Sequence, residues 1–84
     1  MAYKAFFTPT FEKQLKKAKK KDQALFERLK KSVVKVCENP GAGKPLKHDL
    51  KGTRRIHLNP FVLVYSIEGD TVTFHYYEHH DDAY

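Results

Sequence analysis

Thr53-Arg54-Arg55-Ile56-His57-Leu58-Asn59, Phe61-Val62-Leu63-Val64-Tyr65-Ser66-Ile67 and Thr71-Val72-Thr73-Phe74-His75-Tyr76-Tyr77-Glu78 are three runs of strand character, separated by Asn59-Pro60 and by Glu68-Gly69-Asp70. β-Branched and aromatic residues fill the runs and turn-forming residues divide them, so the spacing predicts an antiparallel meander. In the first run, period-two alternation sends Ile56 and Leu58 to one face and Arg55, His57 and Asn59 to the other. The apolar set needs a second layer to pack against.

Upstream residues supply that layer with helical periodicity. Asp22 is a candidate N-cap, and after it Leu25, Phe26, Leu29, Val33, Val36 and Cys37 fall on one stripe, with Lys30, Lys31 and Lys35 elsewhere. This helix should run to about Glu38, where Asn39-Pro40-Gly41 stops it. Thr8 can cap an earlier helix with Pro9 in its first turn and Phe11, Leu15 and Ala18 on its apolar side. The run from Lys16 to Lys21 crowds cations at that helix's C-terminal end, where the macrodipole favours them. Residues 3–8 read as a short leading strand. Residues 41–51 read as a loop carrying Lys44, Lys47, His48 and Lys51, closed by Gly52.

The order strand, helix, helix, loop, three strands predicts an α+β fold with both helices on one face of the sheet and the other face open. With 84 residues, the chain suits one domain spanning 1–84. Its single cysteine, Cys37, lies on the apolar stripe and reads as packing, and a lone thiol fits a reducing compartment. No apolar run approaches the roughly 20 residues that span a bilayer, and no basic-then-apolar signal opens the chain, so a cytoplasmic protein without a membrane partner is expected.

Sixteen Lys and Arg against ten acidic residues give a formal charge of +6, and the isoelectric point is near 9.5. That imbalance favours a polyanionic partner, nucleic acid or acidic protein. Arg55 and His57, displayed together beside the basic loop, would form a cationic concavity. The tail contributes His80 and Tyr84, four residues apart and on one side if the tail makes a helical turn. Imidazoles, a phenol and fixed cations suit RNA cleavage by the strand's own 2′-hydroxyl, which needs a base, an acid and charge stabilisation on phosphorus, and calls for no metal or cofactor.

Leu50-Lys51-Gly52-Thr53-Arg54-Arg55-Ile56-His57-Leu58-Asn59-Pro60, followed by Val62-Leu63-Val64-Tyr65 and the ending His80-Asp81-Asp82-Ala83-Tyr84, resembles the RelE/ParE superfamily of toxins, closest to its YafQ-like branch. The resemblance implies a RelE-like fold and a toxin of a type II toxin–antitoxin pair, which cuts mRNA on the ribosome and is silenced by a cognate antitoxin. It implies His57, His80 and Tyr84 as catalytic residues; the cations beside them, read from the residues themselves, add Arg55 as phosphate clamp and Lys44, Lys47, His48, Lys51 and Arg54 as RNA or phosphate contacts. Lys44 stands where that branch has a loop histidine, Phe61 where it has an acidic residue, and Val62 where RelE has a catalytic arginine. A histidine-led mechanism is the reading these departures leave. Two alternatives share the fold: a ParE-like poison of DNA gyrase, and an RNA-binding member whose site has decayed. Taken alone, His57 reads as an exposed strand residue, His75 as a sheet-surface residue, and the lysine run as either a solvated helix face or a contact to ribosomal RNA.

Overall fold

The computed structural model describes residues 3–45 and 53–79, Lys44 and Pro45 by their backbone alone. Its elements in chain order are β1 (Lys4–Phe7), α1 (Pro9–Lys21), α2 (Gln23–Glu38), a 3-10 turn (Pro40–Ala42), β2 (Lys44–Pro45), β3 (Thr53–Leu58), β4 (Phe61–Glu68) and β5 (Thr71–His79).

Both helices start where local chemistry places them. The Thr8 side chain accepts from the Phe11 amide at 3.1 Å and Pro9 occupies the first turn; the Asp22 carboxylate accepts from the Leu25 amide at 3.1 Å. Each cap satisfies an N–H that the first helical turn leaves without an intrahelical partner. Asp22 also ends α1, its own amide donating to the Ala18 carbonyl at 2.7 Å, so one residue makes the corner between the helices.

The strands form one sheet in the order β1-β5-β4-β3-β2. β3, β4 and β5 are the antiparallel meander, and β1 lies parallel to β5 with Lys4 opposite Thr71 and Phe7 opposite Phe74. Gly69, at φ +59°, supplies the left-handed position in the tight turn between β4 and β5.

Both helices contribute to the core on one side of the sheet. Phe11, Leu29 and Val36 meet Leu63 and Tyr65 of β4 and Val72 and Phe74 of β5, all fully buried, with Ile56 and Leu58 of β3 packed against them. Aromatic contacts tie the layers together: Phe11 stacks on Phe74 with centroids 5.8 Å apart, and Phe7 meets both edge-on at 5.3 and 5.7 Å.

The expectation of a plain loop over 41–51 is corrected in its first part. Residues 40–42 form a 3-10 turn and Lys44–Pro45 an edge strand paired with Arg54 and Arg55. The cause is a side chain remote in sequence. The buried Tyr65 hydroxyl donates to the Pro40 carbonyl at 2.7 Å and accepts from the Gly43 amide at 3.0 Å, which fastens this segment to the sheet. Burial pushes the Tyr65 phenol up, against the lowering effects of the Gly43 amide and the Arg54 charge, so it stays a neutral donor. The later part of that loop lies outside the described residues.

Candidate functional site

β3 sets the site through its alternation. Ile56 and Leu58 join the core, so Arg55 and His57 emerge on the face turned away from the helices. His57 is exposed and Arg55 half-buried, with its Nε shielded from solvent. The register carries their rows across the sheet: Arg55 lies opposite Val64 and then Tyr76, while His57 lies opposite Val62 and then Glu78. Val62 and Val64, at 0% and 6% exposure, make an apolar floor between them.

Arg54 goes the other way. Its guanidinium donates to the Gly43 carbonyl at 2.7 Å and lies close enough to Tyr65 to lower that phenol's pKa, so it belongs to the helix-side face and stands apart from the Arg55–His57 pair. The signal for this was in the alternation itself, since position 54 shares parity with Ile56 and Leu58. Lys44 is opposite Arg55 in the ladder by backbone register. Lys47, His48, Lys51, His80 and Tyr84 lie outside the described residues. The described chain reaches His79, in the row Leu58–Phe61–His79, one position beyond the row of His57.

Sequence reasoning anticipated His75 on the sheet surface and missed three features around it: the bulge, the Ser66 contact and the Glu78 carboxylate. A β-bulge in β5 leaves His75 without a Cα partner, because Val64 faces Tyr76 while Tyr65 faces Phe74. His75 Nε2 lies 2.8 Å from the Ser66 hydroxyl, which places His75 on the open face beside Tyr76. Glu78 brings a carboxylate into the row of His57, two strands away.

Other titratable groups have structural explanations. Burial pushes the Cys37 thiol up, which keeps it protonated and unreactive within the core. Burial first and the Asp22 charge second raise the Tyr77 phenol, whose backbone N–H and C=O are both bonded by the Gln14 amide at 2.9 and 2.8 Å. Among the described residues, no helix is long and apolar enough to cross a membrane.

Comparison with known proteins places this arrangement in context. The family described as ParE toxin of type II toxin–antitoxin system, parDE, matches residues 5–84. The chain is 32% identical over 85 residues to the protein named RelE4 of Methanocaldococcus jannaschii, covering 98% of this chain and 90% of that one. Its fold is similar to the intact RelBE toxin–antitoxin complex of E. coli, with a TM-score of 0.75, 26% identity, and coverage of 93% of this chain and 96% of that one. The E. coli DinJ–YafQ toxin–antitoxin complex is similar too, with a TM-score of 0.78 at 19% identity over 100% of this chain and 99% of that one.

Proposed function

The chain belongs to the ParE toxin family of type II toxin–antitoxin systems, within the RelE/ParE superfamily, and from that premise we propose that it is an endoribonuclease that cuts messenger RNA on the ribosome. The observation that carries this reading is the pairing of Arg55 and His57 on one open sheet face beside the Lys44 ladder position. A phosphate held on the Arg55 guanidinium puts the adjacent ribose within the reach of an imidazole two residues along the strand.

One imidazole takes the 2′-hydroxyl proton, and the oxygen attacks the neighbouring phosphorus. A second group returns a proton to the departing 5′-oxygen, leaving a cyclic phosphate on one product and a hydroxyl on the other. Arg55 and the surrounding lysines stabilise the charge on the phosphorane. His57 fills one of the proton-transfer roles. His80 and Tyr84, beyond the described residues, are the proposed partners, and Lys44, Lys47, His48 and Lys51 the proposed contacts to flanking phosphates. Arg54 serves the same site indirectly by holding the Gly43 carbonyl next to β2.

Induction of the protein in cells should stop growth, and primer extension on translated messages should find new 5′ ends inside coding regions. The family's ParE designation favours one other reading, a gyrase poison that needs no acid–base residues. Inhibition of supercoiling by purified gyrase, with messages left whole, would establish that reading and sink the nuclease.

The partner is a cognate antitoxin, and the surface that suits it is an apolar groove of about 370 Å3 between α1, α2 and β1, lined by Phe7, Leu15, Phe26, Lys30, Val33 and Val34. Val34 is 57% exposed, and the Lys19 and Lys30 ammonium groups hover over the Phe26 ring at 5.9 and 5.4 Å. An amphipathic segment with apolar anchors and acidic flanks fits that surface. Val34→Asp should weaken antitoxin binding about tenfold or more, as loss of an apolar anchor plus a like-charge contact requires, read by calorimetry with the co-encoded protein. Unchanged affinity would remove the groove from the interface.

A further inference from the structure

The open face contains an aromatic residue whose placement depends on a defect in the sheet. Val64 faces Tyr76 and Tyr65 faces Phe74, so His75 is the extra residue of a bulge. A bulge can turn two successive side chains toward the same face and increase the local twist, which is how sheets re-aim a residue beside a functional site. Here it delivers His75 and Tyr76 together to the side opposite the helices.

The bulge is braced by three contacts, one from Ser66 and two from Thr8. The Ser66 hydroxyl lies 2.8 Å from His75 Nε2. The Thr8 hydroxyl donates to the His75 carbonyl at 2.7 Å while accepting from the Phe11 amide, so the cap of α1 also clamps β5. The Thr8 amide donates to the Phe74 carbonyl at 3.2 Å. Such bracing defines where Tyr76 can point. Tyr76 is 36% exposed, and it ends the row Arg55–Val64–Tyr76, with the buried Val64 as floor.

Two strand spacings put Arg55 and Tyr76 about 10 Å apart at their Cα atoms. That span accommodates one nucleotide laid across the sheet, with its phosphate at the guanidinium and its base over the phenol. We propose that Tyr76 is the platform on which a base of the message next to the scissile phosphate stacks, so that this residue positions the strand and biases which codon is cut. The inference rests on the nuclease reading and adds a substrate-contacting residue to it. Stacking needs a π-face and accepts every base, graded modestly by how strongly each base stacks, so the phenol hydroxyl is dispensable and the ring is not.

The test uses the full chain on ribosomes programmed with a message carrying 2-aminopurine at the nucleotide beside the mapped cut, compared among wild type, Tyr76→Phe and Tyr76→Leu. Wild type and Tyr76→Phe should quench the fluorophore on binding and cut at the same position. Tyr76→Leu keeps apolar bulk without a π-system, and should fail to quench, require about tenfold more protein for half-maximal cleavage, and shift the distribution of cut codons. Quenching and cleavage by Tyr76→Leu equal to wild type overturn the stacking role alone. A wild-type protein that leaves every message intact overturns the nuclease reading, and the stacking role with it.

Discussion

Replacing His57 by alanine should lower message cleavage by about 100- to 10,000-fold, the range spanned by removal of a positioned acid or base. The imidazole is exposed on β3, and neighbouring core positions Ile56 and Leu58 face away from it. Stability should change by no more than about 0.5 kcal/mol, as for surface substitutions generally. That contrast makes the variant informative: denaturant midpoint unchanged, single-turnover cleavage nearly abolished, binding to ribosomes retained. His80→Ala combined with Tyr84→Ala probes the proposed partners in the same assay. If either variant still cut at the wild-type rate, the residues it removes would not be catalytic, and if both did, the chemistry would have to be sought elsewhere on the face.

How much of this could be read from the residues alone follows the range of the interactions. Thr8 with Pro9, and Asp22, act within three residues of themselves, so both helix starts were legible. The three runs of the meander were legible because alternation and turn residues are local, and their observed bounds differ from the expected ones by a residue. The parallel union of β1 with β5 joins positions about 67 apart, and nothing in residues 3–8 specifies which strand they meet. The bulge at His75 escaped notice for a similar reason. It is pinned by a hydroxyl at position 8 and another at position 66, contacts that no pattern within β5 encodes. Arg54 is a different case, because its parity with Ile56 places it on the helix side, where its guanidinium meets the Gly43 carbonyl.

The same chain of contacts makes Gly43→Ala the substitution with the largest expected effect on stability. A Cβ at Gly43 would sit 2.7 Å from the Arg55 carbonyl oxygen and against the Tyr65 hydroxyl, closer than carbon and oxygen can approach without displacement. The Arg55 carbonyl is backbone within a strand paired on both sides, opposite Lys44 and Val64, and cannot yield cheaply. Relief has to come from the segment carrying residue 43, which breaks the hydrogen bond its amide donates to the Tyr65 hydroxyl and frees the carbonyl that Arg54 holds. Overpacking costs about 1–3 kcal/mol and a stranded buried polar group about 1–3 more, so a total of about 2–6 kcal/mol is expected. For a domain this size that lowers the melting temperature by about 10 °C or more, measurable by calorimetry. Tyr65→Phe separates the causes. Alone, it leaves the Pro40 carbonyl and Gly43 amide without their hydroxyl, at about 1–3 kcal/mol. Combined with Gly43→Ala, it removes one of the two obstacles but keeps the backbone one, so most of the alanine penalty should persist in the double variant. If that penalty vanished, the hydroxyl rather than β3 would be what excludes a side chain at position 43. The strand that β2 covers is the one that displays Arg55 and His57, so message cleavage by Gly43→Ala, assayed well below its melting temperature, should fall as well.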